Sequence, residues 1–142
     1  MKAINTMKLT FPSRSRNESF ARGAIAAFAA QADPTVDELA DLKTAVSEAV
    51  TNCIVHAYRD SIGAVVLTAA LYESGALRVT VADKGCGIAD VPKAMEPLFT
   101  TAGPERAGLG FAVMLSFMDS VKVHSTLGKG TRVVMEKRLG RR

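Results

Sequence analysis

Two pairs of β-rich segments, each joined by a few turn residues, constrain this fold more than any other feature. Ala64 to Tyr72 and Ala76 to Ala82 flank Glu73-Ser74-Gly75, and Val121 to Ser125 and Thr131 to Lys137 flank Leu127-Gly128-Lys129-Gly130. Connections this short fold the chain back beside itself, so each pair is antiparallel. Lys8 to Phe11 alternates and stops at Pro12, a first strand. The helical periods are grouped apart from these pairs. Ser13 to Ser15 offer an N-cap for a helix carrying Phe20, Ala24, Ala27 and Phe28 as far as about Gln31. Asp33-Pro34 breaks it, and Thr35-Val36-Asp37-Glu38 is a capping box opening a second helix. The core stripe of that helix is Leu39, Leu42, Val46, Ala49 or Val50, and Cys53, running to about Ala57 before the turn Arg59 to Gly63. Residues 92–107 show no period and contain Pro92, Pro97, Gly103 and Pro104. Irregular stretches of that length are usually functional or mobile. Leu109 to Met118 resumes a helical pattern.

Strand, two helices, hairpin, irregular segment, helix, hairpin is the order of a two-layer α+β sandwich with a mixed, mostly antiparallel sheet. It is not the strict alternation of a Rossmann sheet. A length of 142 residues suits a single domain over 1–142, with a basic, solvated tail from about 138 to 142. Hydrophobic residues make up 48% and charged residues 23%, the balance of a soluble globular chain. No apolar run approaches the roughly 20 residues of a membrane span. Met1 to Thr6 lacks the apolar stretch of a signal peptide, so a cytoplasmic protein without membrane contact is expected. Cys53 and Cys86 form neither a disulfide framework nor a metal-ligand pattern, and Cys53 reads as a small core residue. The formal charge of +4 is concentrated in Lys137 to Arg142, with no basic stripe interleaved with aromatics, which argues against direct nucleic-acid binding.

Glu48 and Asn52 stand one helical turn apart in the otherwise apolar second helix. Two polar groups on one inner face are costly unless something polar meets them, and a hydrated Mg²⁺ with its phosphates would do so. Alone, the pair favours a capping or surface-pair explanation. Asp83-x-Gly85-x-Gly87-Ile88 ends a strand. Its glycines permit a tight turn and close approach to a ligand, and Asp83 would be an acceptor suited to an exocyclic amine. The alternative is a turn-forming Asp before glycine. Gly108-Leu109-Gly110 opens the last helix, where free N–H groups make an anion site. Arg106, just before it, can add a charge-assisted contact to a terminal phosphate, or be a surface Arg on a hinge. No Gly-x-x-x-x-Gly-Lys-Ser/Thr run occurs, which excludes a P-loop.

The order and separation of these elements resemble the N, G1, G2 and G3 boxes of the GHKL superfamily, the Bergerat-fold ATPases. Asn17 to Arg22, Ser47 to Asn52, Pro97 to Thr101 and Glu105 to Phe111 further resemble the anti-sigma kinases of endospore-forming bacteria. The resemblance covers nearly the whole chain. It implies binding of ATP or ADP with Mg²⁺, a homodimer that holds sporulation sigma factor F inactive, and phosphorylation of a serine on an anti-anti-sigma partner. By position, Asn52 would hold Mg²⁺ and Glu48 would be the general base. Asp83 would accept from the adenine amine with support from Thr131, and Gly85 and Gly87 would let the backbone approach the base. Gly108 and Gly110 would cradle phosphates, and Arg106 would steady the γ-phosphate. Ile88, Thr100, Thr101 and Leu109 fall in the same boxes and are expected beside the nucleotide. Asn17 and Arg22 match partner-contacting positions, although Arg22 also reads as a solvated helix residue. Lys84 and Cys86 occupy variable positions of the G1 box. Ala57 stands where the family more often has glycine, and the segment 101–105 looks about one residue short. His56 reads as structural. The nearest alternatives are the same kinase for the general-stress sigma factor, or a sequestering module whose nucleotide is not turned over.

Overall fold

A computed structural model describes residues 2–95 and 109–140. The elements are β1 (Ala3–Pro12), α1 (Asn17–Ala29), α2 (Val36–Asn52), β2 (Ala64–Tyr72), β3 (Ala76–Asp83), α3 (Val91–Ala94), α4 (Leu109–Phe117), β4 (Ser120–Thr126) and β5 (Gly130–Arg138). The strands form one sheet in the order β1-β2-β3-β5-β4. Among the described residues all four pairings are antiparallel, where a mixed, mostly antiparallel sheet was expected. The last hairpin docks through β5 onto β3, which leaves β1 and β4 as the edges.

One face of the sheet is covered by helices. Val65, Leu67, Ala69 and Leu71 of β2, Leu77, Val79 and Val81 of β3, and Val133 and Met135 of β5 are buried at alternate positions. They meet Ala21, Ile25 and Phe28 of α1, Leu42, Val46, Ala49 and Val50 of α2, and Phe111 and Met114 of α4 in one cluster. Period two on the sheet and period 3.6 on the helices thus produce a single core between two layers. The register aligns Phe11, Val65, Asp83, Thr131 and Ser125 as successive cross-strand partners. Directly opposed residues share a face. This one row runs from buried Phe11 and Val65 to partly buried Asp83, Thr131 and Ser125, so the core face changes from apolar to polar as it crosses the sheet.

Local chemistry sets the helix ends. Thr35 Oγ1 accepts from Glu38 N–H at 3.1 Å, and Glu38 Oε1 accepts from Thr35 N–H at 2.8 Å, the reciprocal box expected there. Ser13 does not cap α1. The N-cap residue is Arg16, which makes no side-chain cap. Ser13 is instead buried, and its hydroxyl accepts from Gly63 N–H at 3.0 Å, pinning the end of β1 to the start of β2. The α-helical geometry of α2 ends at Asn52, and Cys53–Ala57 continue as a π-helical turn closed by Tyr58 N–H to Cys53 O at 3.2 Å. Over 138–140 the basic tail is tied to the fold, although Arg138 and Gly140 remain exposed. Arg138 lies in β5, Leu139 is buried, and Gly140 N–H donates to Glu38 Oε1 at 2.9 Å.

Candidate functional site

A cavity of about 860 Å³ opens where the core face turns polar. Glu48, Asn52 and Cys53 line it from α2 and the π-turn, Asp83 and Thr131 from the sheet, Gly87 and Ile88 from the loop after β3, and Gly110 and Phe111 from α4. Cavities of this size at the junction of elements, apolar with a few convergent polar groups, are the usual form of a small-molecule site.

Glu48 and Asn52 face α4. A Cβ built on Gly110 would stand 3.2 Å from Asn52 Oδ1 and 3.2 Å from Glu48 Oε2. Two oxygens from adjacent turns of α2 therefore converge on one point at the start of α4, and only glycine leaves that point open. Asp83 is held at the end of β3 by two donors. Gly85 N–H reaches its Oδ1 at 2.9 Å, and the Cys53 thiol reaches its Oδ2 at 3.4 Å. Each carboxylate oxygen has two lone pairs, so acceptor capacity remains. Burial, then the Asp83 charge and the hydrogen bond to it, push the Cys53 thiol well above its ordinary range, which keeps it protonated as a donor. The phenol of Tyr58 accepts from Lys84 N–H at 2.7 Å and donates to Ala64 O at 2.8 Å, tying the loop after β3 to β2. Burial raises the Tyr58 pKa, opposed by the hydrogen bond from Lys84 and reinforced by the charge of Asp83.

The two glycines after Asp83 serve the protein's own packing. A Cβ on Gly85 would collide with the Ala57 backbone, and one on Gly87, at φ 74°, with the Thr126 carbonyl. Cys86 N–H donates to Ala57 O at 3.1 Å and Gly128 N–H to Cys86 O at 2.7 Å. The loop is thus clamped between the π-turn and the β4–β5 turn, and close approach to a ligand is not what the missing side chains provide. Gly87 and Ile88 still line the cavity, whereas Gly85 does not.

A profile described as histidine kinase-like ATPase domain matches residues 11–137. A Caldanaerobacter subterraneus protein named anti-sigma F factor is 57% identical over 142 residues, covering 99% of each chain. Proteins of the same name from Geobacillus thermodenitrificans and Clostridium acetobutylicum are 49% and 51% identical over 96% and 94% of this chain, each covered over 94% of its own length. The chain belongs to the anti-sigma F factor family of histidine kinase-like ATPases. A solved Mycobacterium tuberculosis structure of RsbU and RsbW domains shares the fold, with a TM-score of 0.71 at 21% identity over 97% of this chain. This chain spans 33% of that one. A blue-light activated histidine kinase of Erythrobacter litoralis is similar over 75% of this chain, with a TM-score of 0.58 at 28% identity and 32% of its own length covered.

For an anti-sigma F family member, the meeting of Glu48 and Asn52 at Gly110 fits a divalent cation. Mg²⁺ takes hard oxygens and commonly uses one or two from the protein, with phosphate and water completing its shell. Among the described residues no group of three or more His, Cys, Asp and Glu could hold a metal alone. Thr100, Thr101, Arg106 and Gly108 lie outside the described residues. Leu109 begins α4, and its side chain also lies outside them. Asn17 and Arg22 stand apart from the cavity on α1. The Asn17 amide donates to Pro12 O at 2.9 Å, which makes it a clasp of the β1–α1 connection. Arg22 pairs with Glu18 at 3.3 Å on the same helix. Such an i,i+4 pair is worth only about 0.3–0.5 kcal/mol, so the guanidinium can be recruited by a partner at little cost. Sequence reasoning missed Ser125 and Tyr58. Tyr58 carried no motif, but the place of Ser125, facing Thr131 across a short hairpin, was available from the turn length.

Proposed function

We propose that the protein is an ATP-dependent serine kinase that also sequesters a sigma factor. It binds ATP or ADP with Mg²⁺ in the cavity, holds sporulation sigma factor F inactive as a homodimer, and phosphorylates a serine of an anti-anti-sigma protein. The observation that carries this reading is the convergence of Glu48 Oε2 and Asn52 Oδ1 beside Gly110, in the same cavity as Asp83. The names of the relatives, anti-sigma F factor, support the sigma partner.

Asp83 accepts from the exocyclic amine of the base, with support from Thr131. The start of α4 receives the phosphates, because its first N–H groups have no partner within the helix. The Asn52 amide oxygen holds the metal, which when bound neutralises phosphate charge. Glu48 takes the proton of the serine hydroxyl while the serine oxygen bonds to the γ-phosphorus and the bond to the departing ADP oxygen breaks. Phosphoryl transfer of this kind depends on positioning and electrostatics. Arg22 contacts the sigma factor from the exposed side of α1.

The test mixes purified protein with γ-labelled ATP and each candidate anti-anti-sigma protein. Label on a serine of the sporulation partner is expected, and Glu48→Gln should retain ATP affinity while losing the label. Label confined to a general-stress partner would move the protein to that pathway. ATP binding with no label on any partner would make it a non-catalytic sequestering module.

A further inference from the structure

The Ser125 hydroxyl lies within hydrogen-bond distance of three groups. Ile88 N is at 2.8 Å, Gly130 O at 3.0 Å, and Thr131 Oγ1 at 2.8 Å. Ser125 has one proton to give. Gly130 O is a carbonyl with no proton of its own, so its contact uses that of Ser125. Ile88 N–H can only donate. All three contacts are satisfied together in one arrangement alone, in which Thr131 donates its hydroxyl proton to Ser125. The Thr131 oxygen is then left with lone pairs and no proton to offer. Asp83, its cross-strand partner on the same face, is likewise an acceptor.

We infer that Ser125 is a specificity-determining residue, which fixes the Thr131 hydroxyl as an acceptor and so makes the base pocket select a 6-amino purine over a 6-oxo purine. The inference rests on the nucleotide reading above. Two acceptors side by side match the two hydrogens of an amine and meet the oxygen of a 6-oxo purine with repulsion. A site built to hydrogen-bond a donor rejects the analogue that lacks it, because its own polar groups are then left unpaired. Ser125 acts on the choice of base through Thr131, as a positioning residue. Ile88 N–H, held by the same hydroxyl, keeps the loop after β3 seated against the β4–β5 hairpin.

ATP and ITP differ in the base at the 6-position and the adjoining N1 proton, which makes them the probes. Their dissociation constants are measured by calorimetry on the full chain. Ser125→Ala frees the Thr131 hydroxyl to rotate and donate, and the ratio of ITP to ATP dissociation constants should narrow roughly fivefold, the scale of one neutral hydrogen bond. Ser125→Thr keeps a hydroxyl there and should retain the wild-type ratio. In a Thr131→Ala background, Ser125→Ala should leave the ratio where Thr131→Ala alone puts it. An unchanged ratio in Ser125→Ala, or the same narrowing with Thr131 absent, overturns the inference while ATP binding stands. Failure of the wild-type protein to bind ATP overturns the nucleotide reading, and the inference falls with it.

Discussion

A methyl group added at position 110 tests the geometry on which the proposed chemistry depends. The added carbon would sit 3.2 Å from both Glu48 Oε2 and Asn52 Oδ1, and 3.5 Å from Asn52 Nδ2. These are ends of flexible side chains, so they give way by a few tenths of an ångström and no backbone need move. Alanine also suits a helix better than glycine, by about 1 kcal/mol in an interior. Gly110 is the second residue of α4, where the gain is smaller. Gly110→Ala should therefore be neutral to slightly stabilising, raising Tm by no more than about 4 °C. The displaced carboxylate and amide should nevertheless slow transfer about tenfold, given that a misplacement of about 1 Å can cost on the order of 100-fold. Gly23→Ala is the matched control. Its Cβ meets nothing within 4 Å in the middle of α1, so it should gain the helix propensity and leave ATP affinity unchanged. Differential scanning fluorimetry and single-turnover label transfer read the two effects separately. Wild-type transfer by Gly110→Ala would refute the convergence of Glu48 and Asn52 on α4. A Tm lowered by more than about 5 °C would refute the claim that only flexible ends are met.

Asn52→Ala should weaken Mg²⁺-dependent nucleotide affinity, read as loss of the difference between titrations with and without Mg²⁺; an undiminished difference removes Asn52 as the ligand. Arg22→Glu should weaken sigma binding at least tenfold in a pull-down titration with ATP affinity retained, whereas parallel loss of both would mark misfolding. The raised pKa values of Cys53 and Tyr58 make a prediction about alkali. The folded state holds both protons more tightly than the unfolded chain. Their contribution is therefore complete below the unfolded thiol pKa of about 8.5 and is lost as pH rises above it. Melting curves from pH 8 to 11 should show Tm falling, with a shallower onset in Cys53→Ala; identical slopes would remove Cys53 from the linkage.

Much of the architecture was legible because it depends on short-range rules. Glu73-Ser74-Gly75 marked the β2–β3 hairpin, and the turn closes there with Gly75 N–H to Tyr72 O at 2.9 Å. The capping box at Thr35 and Glu38 formed as written. Ser13 misled because a serine before a helix resembles a cap, while its actual partner, Gly63, is 50 residues away. The π-turn after Asn52 was illegible for a similar reason. An apolar stripe continues through Cys53 whichever hydrogen-bond ladder the backbone adopts, and the wider ladder ends at Ala57, whose carbonyl accepts from Cys86 N–H across the fold.

Residue type and spacing by themselves determined the long helices and the hairpin strands but not α3 or the π-turn, and with them the antiparallel pairing within each hairpin and the candidates Glu48, Asn52, Asp83 and Gly110. Those depend on hydrophobic period, turn length and helical repeat, all of which span a few residues. Tertiary structure alone decided that β5 lies between β3 and β4, and it thereby set Asp83, Thr131 and Ser125 in one row. It also brought Gly110 against Glu48 and Asn52, and turned the glycines after Asp83 toward the protein's own backbone. The physical reason is that strand order and helix docking are set by which apolar faces can be buried together. A polar side chain acquires its partner, and its donor or acceptor character, only once those faces have met.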